Sequence, residues 1–582
     1  MTLPTLLLLL AFSCAVVLST SPSYPSTSRS ILAVNEVPSL SHFGLVHGHL
    51  ERLNRHRLHR VSELVWPIEG RVSPPKEPEN SNERRSCHLC RGEQQEPDQP
   101  VQVLAIRRHK RASLKMLLAD FDHLLWKQDA VDEDFFAVIL ALMKELWGLC
   151  RELERDANAS WATADGDRRH RFDLGVIDPT ANPCAVALMN RLRLPYVVIS
   201  PMLDFCYLAE AAGVPCPRSY VPAFVGPRHS DRMSFLERAQ STLNGVVGIA
   251  FLEVISAMLH HSVIGLAEDR EDFRAARRTG EMDLRNETFS SPLPPAAGER
   301  VPLNRTLSPA FVLENSNLFF DFPKPRATNF IQIGHRRCDR SAVDQLDPEL
   351  KAFIEGSPSK GTIIVAMTTF ATSAKLPAYF VDAFAEALRQ FPDHRVIWRA
   401  ENCSACEALA LNGGARVLVR GWLPMRALLA HWATTLLVTH GGLNSLLEAV
   451  ACGVPTLGVP LFGDQAANVG RASEKGIGLA VTKRQLSNAT AYSAMAQLLA
   501  PNNQIARRAR KIAAMTASED DALYGQEERG VWWLGWVTRR SRRLLERPFF
   551  FKTRGGRYQN PLTYLGVDLL IGVLACILVM SV

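Results

Sequence analysis

Apolar runs of strand length alternate with helical stretches through the second half of the chain, and this alternation constrains the fold more than any other feature. Residues 361–367 read as a strand, 377–390 as a helix, 395–399 and 434–439 as strands, and 443–452 as a helix. Residues 454–459 then read as a strand, 465–475 as a helix and 477–481 as a strand. Mostly apolar strands separated by crossover helices imply a parallel sheet covered on both faces. The first half repeats the pattern more sparsely, with strands at 30–34, 172–177 and 196–200, a helix at 184–191, and longer helical stretches at 43–53 and 112–154. The fold class is therefore α/β, two doubly wound domains with ligands at the carboxyl ends of their strands. A Pro- and Asn-rich stretch at 280–310 reads as the linker, dividing the chain into domains at 23–300 and 301–535.

With 47% hydrophobic and 21% charged residues, the chain can bury several cores and is not disordered. Its net charge of +7 is carried by residues 537–558, where eight basic residues face one acid, Glu546. The remainder is neutral, which argues against nucleic-acid binding. Residues 536–564 read as a basic and aromatic juxtamembrane segment, with Trp532, Trp533 and Trp536 at helical spacing before the basic cluster. They suit either a membrane interface or a helix packed on the protein body. Residues 565–582 are apolar apart from Asp568 and span roughly 27 Å as a helix, close to a bilayer core. At the other end, residues 5–18 include five consecutive leucines and read as a signal peptide occupying 1–22. Sequons at Asn158, Asn286, Asn304, Asn402 and Asn488 fit a body facing a secretory lumen, where disulfides are allowed but their pairing cannot be read. Cys87 and Cys90 have zinc-knuckle spacing without a second matching pair, so a disulfide or free thiols are expected, and no metal.

The densest chemistry lies between Trp422 and Asn468. The strand at 434–439 delivers His440, Gly441 and Gly442 at its carboxyl end, where glycines let backbone approach a ligand. Asn444 and Ser445 fall on the first turn of the next helix, whose free N–H groups suit a diphosphate. Glu448, one turn deeper on the same face, can accept from ribose hydroxyls. Asp464 and Gln465 follow the next strand in a loop able to bind sugar hydroxyls, and Trp422 offers a flat face to a base. Each also has a plainer explanation: a turn for the glycines, an N-cap for Asp464, core for Trp422.

Together, W-L-P, T-H-G-G-L-N-S-L-L-E-A, G-V-P and P-L-F-G-D-Q-A-A-N resemble the sugar-donor signature of the UDP-glycosyltransferase family. Residues 219–222, 233–238 and 322–323 and the terminal anchor extend the resemblance over most of the chain. It implies a GT-B fold, two Rossmann-like domains facing a cleft plus a C-terminal transmembrane helix, with acceptor on the first domain and UDP-sugar on the second. It implies inverting transfer without metal or further cofactor. In that family the tryptophan stacks on uracil, the histidine and helix-start residues hold the diphosphate, the glutamate binds ribose and the Asp-Gln pair binds the sugar. These roles fall on Trp422, His440, Asn444, Ser445, Glu448, Asp464 and Gln465. Met425 departs from the glutamine usual near the nucleoside.

An acceptor hydroxyl needs a base during attack, and histidine suits that role near neutral pH. His42 follows the first strand, with His47, His49, His56 and His59 as rivals; the resemblance selects His42 as base and Asp178 as the carboxylate orienting it. Family members using UDP-glucuronic acid resemble one another in an arginine where this chain has Glu314. A carboxylate there is expected to disfavour an acidic sugar, so UDP-glucose is expected ahead of UDP-glucuronic acid. The expected partners are a UDP-sugar, a small lipophilic hydroxyl-bearing acceptor, the endoplasmic reticulum membrane in type I topology, and a second copy of the chain as an option. Two rival readings stand beside this. A metal-dependent transferase would use Asp132 and Asp134, which sit instead in an acidic helical stretch. A non-catalytic lumenal protein on the same scaffold would bind small apolar molecules.

Overall fold

The computed structural model describes residues 29–35, 59–65, 102–105 and 174–178, much of 185–245, and most of 309–546. Within them the chain builds two sheets. The first comprises β1 (Arg29–Asn35), β2 (His59–Val65), β3 (Gln102–Ala105), β4 (Leu174–Ile177), β5 (Tyr196–Ser200), β6 (Phe311–Glu314) and β7 (Phe330–Gln332). The second comprises β8 (Thr362–Ala366), β9 (Arg395–Arg399), β10 (Val417–Arg420), β11 (Thr434–Thr439), β12 (Thr456–Gly458) and β13 (Gly478–Ala480). Their spatial orders are β3-β2-β1-β4-β5-β6-β7 and β10-β9-β8-β11-β12-β13, with every pairing parallel. Each sheet starts in its middle, winds to one edge, then reverses, so its connections diverge at β1/β4 and at β8/β11. A crevice opens at such a reversal, on the carboxyl side of the strands.

The helices used below are α1 (Pro348–Glu355), α2 (Ala378–Arg389), α3 (Met425–Ala430), α4 (Leu443–Cys452), α5 (Gln465–Glu474), α6 (Asn488–Leu499) and α7 (Gln526–Glu546). The apolar periodicity of α2 places Phe380, Phe384 and Leu388 inward, where they pack with Trp398 of β9 and Met495 of α6. On the other face of the second sheet, Leu350 and Ile354 of α1 join Leu428 of α3 and Ile364 of β8.

Two elements depart from the sequence reading. β6 and β7 extend the first sheet, Val197 of β5 pairing with Phe311, so the second domain does not open at residue 301. The Pro-rich break at 280–310 precedes strands whose apolar faces complete the first core, and the crossing to the second sheet comes after β7. Helix α7 also returns to the first sheet. Its Val531, Leu534 and Val537 pack with Leu174, Val176 and Phe311, and the rings of Trp533 and Trp536 lie 5.4 and 5.9 Å from that of Phe311. Trp533 and Trp536 therefore belong to the packing of the body, not to a free juxtamembrane segment starting at residue 536; Trp532 alone of the three is exposed.

Among the described residues three disulfides join Cys206 to Cys216, Cys338 to Cys452 and Cys403 to Cys406, supplying pairings that spacing left open. The Cys338–Cys452 bond ties the chain after β7 to the last residue of α4. Among the described residues no helix is long and apolar enough to cross a membrane, and residues 1–22 and 565–582 lie outside them. His42, His47, His49, His56, Cys87, Cys90, Asp132, Asp134, Asn158, Asn286 and Asn304 also lie outside the described residues. The two remaining sequons are exposed, Asn402 with a positive φ of 54° and Asn488 at the start of α6.

Candidate active site

The second sheet ends its strands in line. Arg420, Arg399, Ala366, Thr439, Gly458 and Ala480 are level across the six strands. The residues that follow therefore line one edge: Trp422 beyond the outer strand β10, and Met367 beyond β8 and His440 beyond β11, which flank the β8/β11 reversal. Trp422 is 59% exposed, so it is not core, and the Arg399 guanidinium sits 5.0 Å from its ring centroid.

His440 is buried among these strand ends. Burial pushes its imidazole down to about 4, against the pull of the Ala366 carbonyl, and the Arg399 charge acts in the same direction as burial. The ring is neutral near pH 7 and meets an anion as a hydrogen-bond donor rather than as a cation. Gly441 has a φ of 89°, and a Cβ there would stand 2.4 Å from Val469 Cγ2. A Cβ at Gly442 would stand 2.7 Å from His440 Nε2. Gly441 is thus required by its backbone conformation and close approach, while any side chain at Gly442 would displace the His440 ring. Gly442 is the N-cap of α4 and makes no side-chain cap bond, so no cap takes the first-turn amides. Asn444, Ser445 and Glu448 are partly exposed on this helix.

The loop after β12 is braced from α5. Asp464 occupies the N-cap position without making a side-chain cap bond; instead its Oδ2 accepts from Asn468 Nδ2 at 2.8 Å. The same Asn468 amide lies 3.2 Å from the Gly441 carbonyl, and Gln465 Oε1 accepts from the Leu461 amide at 2.9 Å. Asn468 therefore joins the sugar loop to the glycine loop, and Arg399 serves Trp422 and His440 together. The sequence reading missed both. Asn468 was legible as the residue four after Asp464, on its helix face; Arg399 was legible only as a cation ending a strand.

In the first sheet Asp178 directly follows β4 and is buried, and Val34 of β1 pairs with Ile177. Asp178 therefore stands at the β1/β4 reversal of the first sheet, and His42 lies outside the described residues. His59 begins β2, paired with Arg29 at the amino end of β1. It stands at the opposite edge of the sheet and drops out as a rival base.

Glu314 requires a correction. It is the last residue of β6, fully buried, with Oε1 2.7 Å from Lys324 Nζ and Oε2 accepting from Ser316 Oγ at 2.6 Å. Lys324 also lies 3.1 Å from Asp321, which Arg471 of α5 approaches to 3.2 Å. The carboxylate is therefore locked in an internal ion network and is not an open charge facing a donor sugar. Strand burial, invisible in a Val-Leu-Glu-Asn string, decides this.

The sequence profile described as UDP-glucoronosyl and UDP-glucosyl transferase matches residues 302–542. Over those residues the chain is similar to the UDP-glycosyltransferase family. The matched region holds Trp422, His440, Asn444, Ser445, Glu448, Asp464 and Gln465, whereas His42 and Asp178 precede it. Among similar curated proteins, UDP-glucuronosyltransferase 3A1 of Xenopus laevis is 28% identical over 55% of this chain and 54% of its own length. UDP-glucuronosyltransferase 2C1 of Oryctolagus cuniculus is 27% identical over 63% of this chain and 65% of its own. The chain thus spans between half and two thirds of the length of the relatives it matches. Among solved structures, an anthocyanidin 3-O-glucosyltransferase in complex with UDP superposes with a TM-score of 0.51, 14% identity, and coverage of 88% and 99% of the two chains. The glycotransferase of kitacinnamycin gives 0.50 and 16%, covering 87% and 98%. At those identities the likeness is one of fold, GT-B.

Proposed function

We propose that this chain transfers a hexosyl group from a UDP-sugar to a hydroxyl of a small lipophilic acceptor, with inversion and without a metal. The observation that carries this is the level edge of the second sheet, which lines up a flat aromatic, a neutral buried imidazole, a glycine pair and an uncapped helix start. In this reading uracil stacks at Trp422, Glu448 takes the ribose, and Asp464 and Gln465 take the sugar. His42 removes the acceptor proton as the hydroxyl oxygen attacks the anomeric carbon, and Asp178 stabilises the imidazolium that forms. The bond from that carbon to the UDP oxygen breaks on the opposite face. The α4 amides, His440, Asn444 and Ser445 then meet the charge left on the diphosphate, the task a metal ion performs elsewhere.

For the donor we favour UDP-glucose, with UDP-glucuronic acid next. The reason is not repulsion by Glu314. The position that resembles an arginine in glucuronate users holds a carboxylate, and its cation Lys324 is engaged by Glu314 and Asp321. A glucuronate carboxylate gains no partner there. We place the protein in the endoplasmic reticulum membrane as a type I protein with a lumenal body, consistent with three disulfides and two exposed sequons.

The test is turnover of radiolabelled UDP-glucose and UDP-glucuronic acid with a panel of phenols, steroids and fatty alcohols, with and without EDTA. Glucosyl transfer insensitive to EDTA is expected. UDP binding without turnover of any pair would instead favour the lumenal binding protein, and inhibition by EDTA reversed by Mn²⁺ would refute the metal-free reading.

A further inference from the structure

Asn315 follows β6 and is fully buried. Its Nδ2 donates to the Pro201 carbonyl, just past β5, and to Asn444 Oδ1 on the first turn of α4, each at 3.0 Å. A backbone carbonyl can only accept, so the orientation of the Asn315 amide is fixed by Pro201. Asn444 must then turn its own oxygen toward Asn315 and its two N–H donors the other way. Asn315 Oδ1 is buried without a hydrogen-bond partner, so the residue is held by its amide nitrogen and not by its oxygen. Its backbone is fixed as well, the N–H donating to the Ser200 carbonyl at 2.9 Å. The preceding residue anchors the same strand end to α5 through the buried series Glu314, Lys324, Asp321 and Arg471.

We infer that Asn315 is a positioning residue for the donor. It holds the Asn444 carboxamide so that –NH₂, not oxygen, meets the diphosphate, and through Pro201 it ties that orientation to the first sheet. The inference rests on the phosphate role given to Asn444 above. No other residue type of this size does the same. An Asp at 315 sets oxygens against the Pro201 carbonyl and draws the Asn444 amide round to donate to them, turning Asn444 Oδ1 toward the phosphates.

The test uses the full-length chain and titration calorimetry with UDP and with uridine, which lacks the diphosphate. Asn315→Asp should weaken UDP binding on the order of tenfold while changing uridine binding less than about twofold. Asn315→Ala, which removes the hold without forcing the flip, should weaken UDP by about threefold, and it serves if Asn315→Asp fails to fold. In an Asn444→Ala background, Asn315→Asp should add less than about twofold, because the side chain it acts through is gone. Equal loss of UDP and uridine affinity marks general damage and overturns the inference. So does an undiminished effect of Asn315→Asp in the Asn444→Ala background. If Asn444→Ala by itself leaves UDP affinity unchanged, the phosphate role of Asn444 falls, and this inference with it; if it weakens UDP but the Asn315 effects are additive, only the inference falls.

Discussion

Both sheets wind outward from a central strand and reverse beside it, but they assemble their chemistry differently. On the second sheet, Arg399, Trp422, His440 and the starts of α4 and α5 follow β9 to β12, consecutive in sequence, and strand register levels them along one edge. On the first sheet, Asp178 follows β4, whose neighbour in space, β1, is separated from it in sequence by the β2 and β3 units. The donor edge also buries a neutral imidazole, while the end of β6 buries charges paired with one another. The proposed nucleotide site draws on four successive β-α units, whereas the proposed base and its carboxylate come from units that are far apart in sequence.

The largest expected effect separates those two halves. His42→Ala should lower kcat by about 10² to 10⁴ while leaving UDP affinity intact, and Asp178→Asn should cost at least about 10². Loss of UDP binding in His42→Ala, measured by calorimetry, would show that the halves are not separable. Next comes the buried charge series. Arg471→Met leaves Asp321, whose carboxyl Lys324, Arg471 and Arg326 hold below its usual range against burial, short of one cation. It should destabilise the chain by about 3 kcal/mol or more in urea unfolding. An unchanged midpoint would mean that Lys324 and Arg326 suffice to neutralise the site.

His440 provides the contrasting case. Its folded pKa of about 4 lies below the ordinary 6.5, so between those values the unfolded chain binds the proton more readily. The stability it contributes is complete above pH 6.5 and is lost as pH falls toward 4, amounting to about 3 kcal/mol. His440→Gln should flatten that acid limb of the urea midpoint against pH; an unchanged limb would show that the imidazole titrates normally. Glu448→Ala should raise the donor KM about tenfold through lost ribose hydrogen bonds, with the acceptor KM within about twofold. The smallest effect belongs to Glu314→Gln. It should leave the ratio of kcat/KM for UDP-glucose and UDP-glucuronic acid within about threefold, since the carboxylate is turned into the ion network. A larger shift toward UDP-glucuronic acid would restore its direct contact with the sugar.

The sequence by itself determined the parallel α/β class, most strands of the second sheet within a residue or two, and the clustering of His440, Gly441, Gly442, Asn444, Glu448 and Asp464. Those features are local: apolar strand runs, crossover helices, and ligand groups a turn apart on one helix. It did not reveal β2, β3 or β10, nor that β6 and β7 complete the first sheet. Glu314 shows the reason most clearly. A carboxylate between Leu313 and Asn315 reads as a solvated or ligand-facing charge until β6 is paired with β5 and β7 and Lys324 arrives beside it. Asn315, Arg399 and Asp321 likewise act through partners distant in sequence. A residue's chemistry is set by the groups that surround it when water is removed, and for these residues only the tertiary structure decides which groups those are.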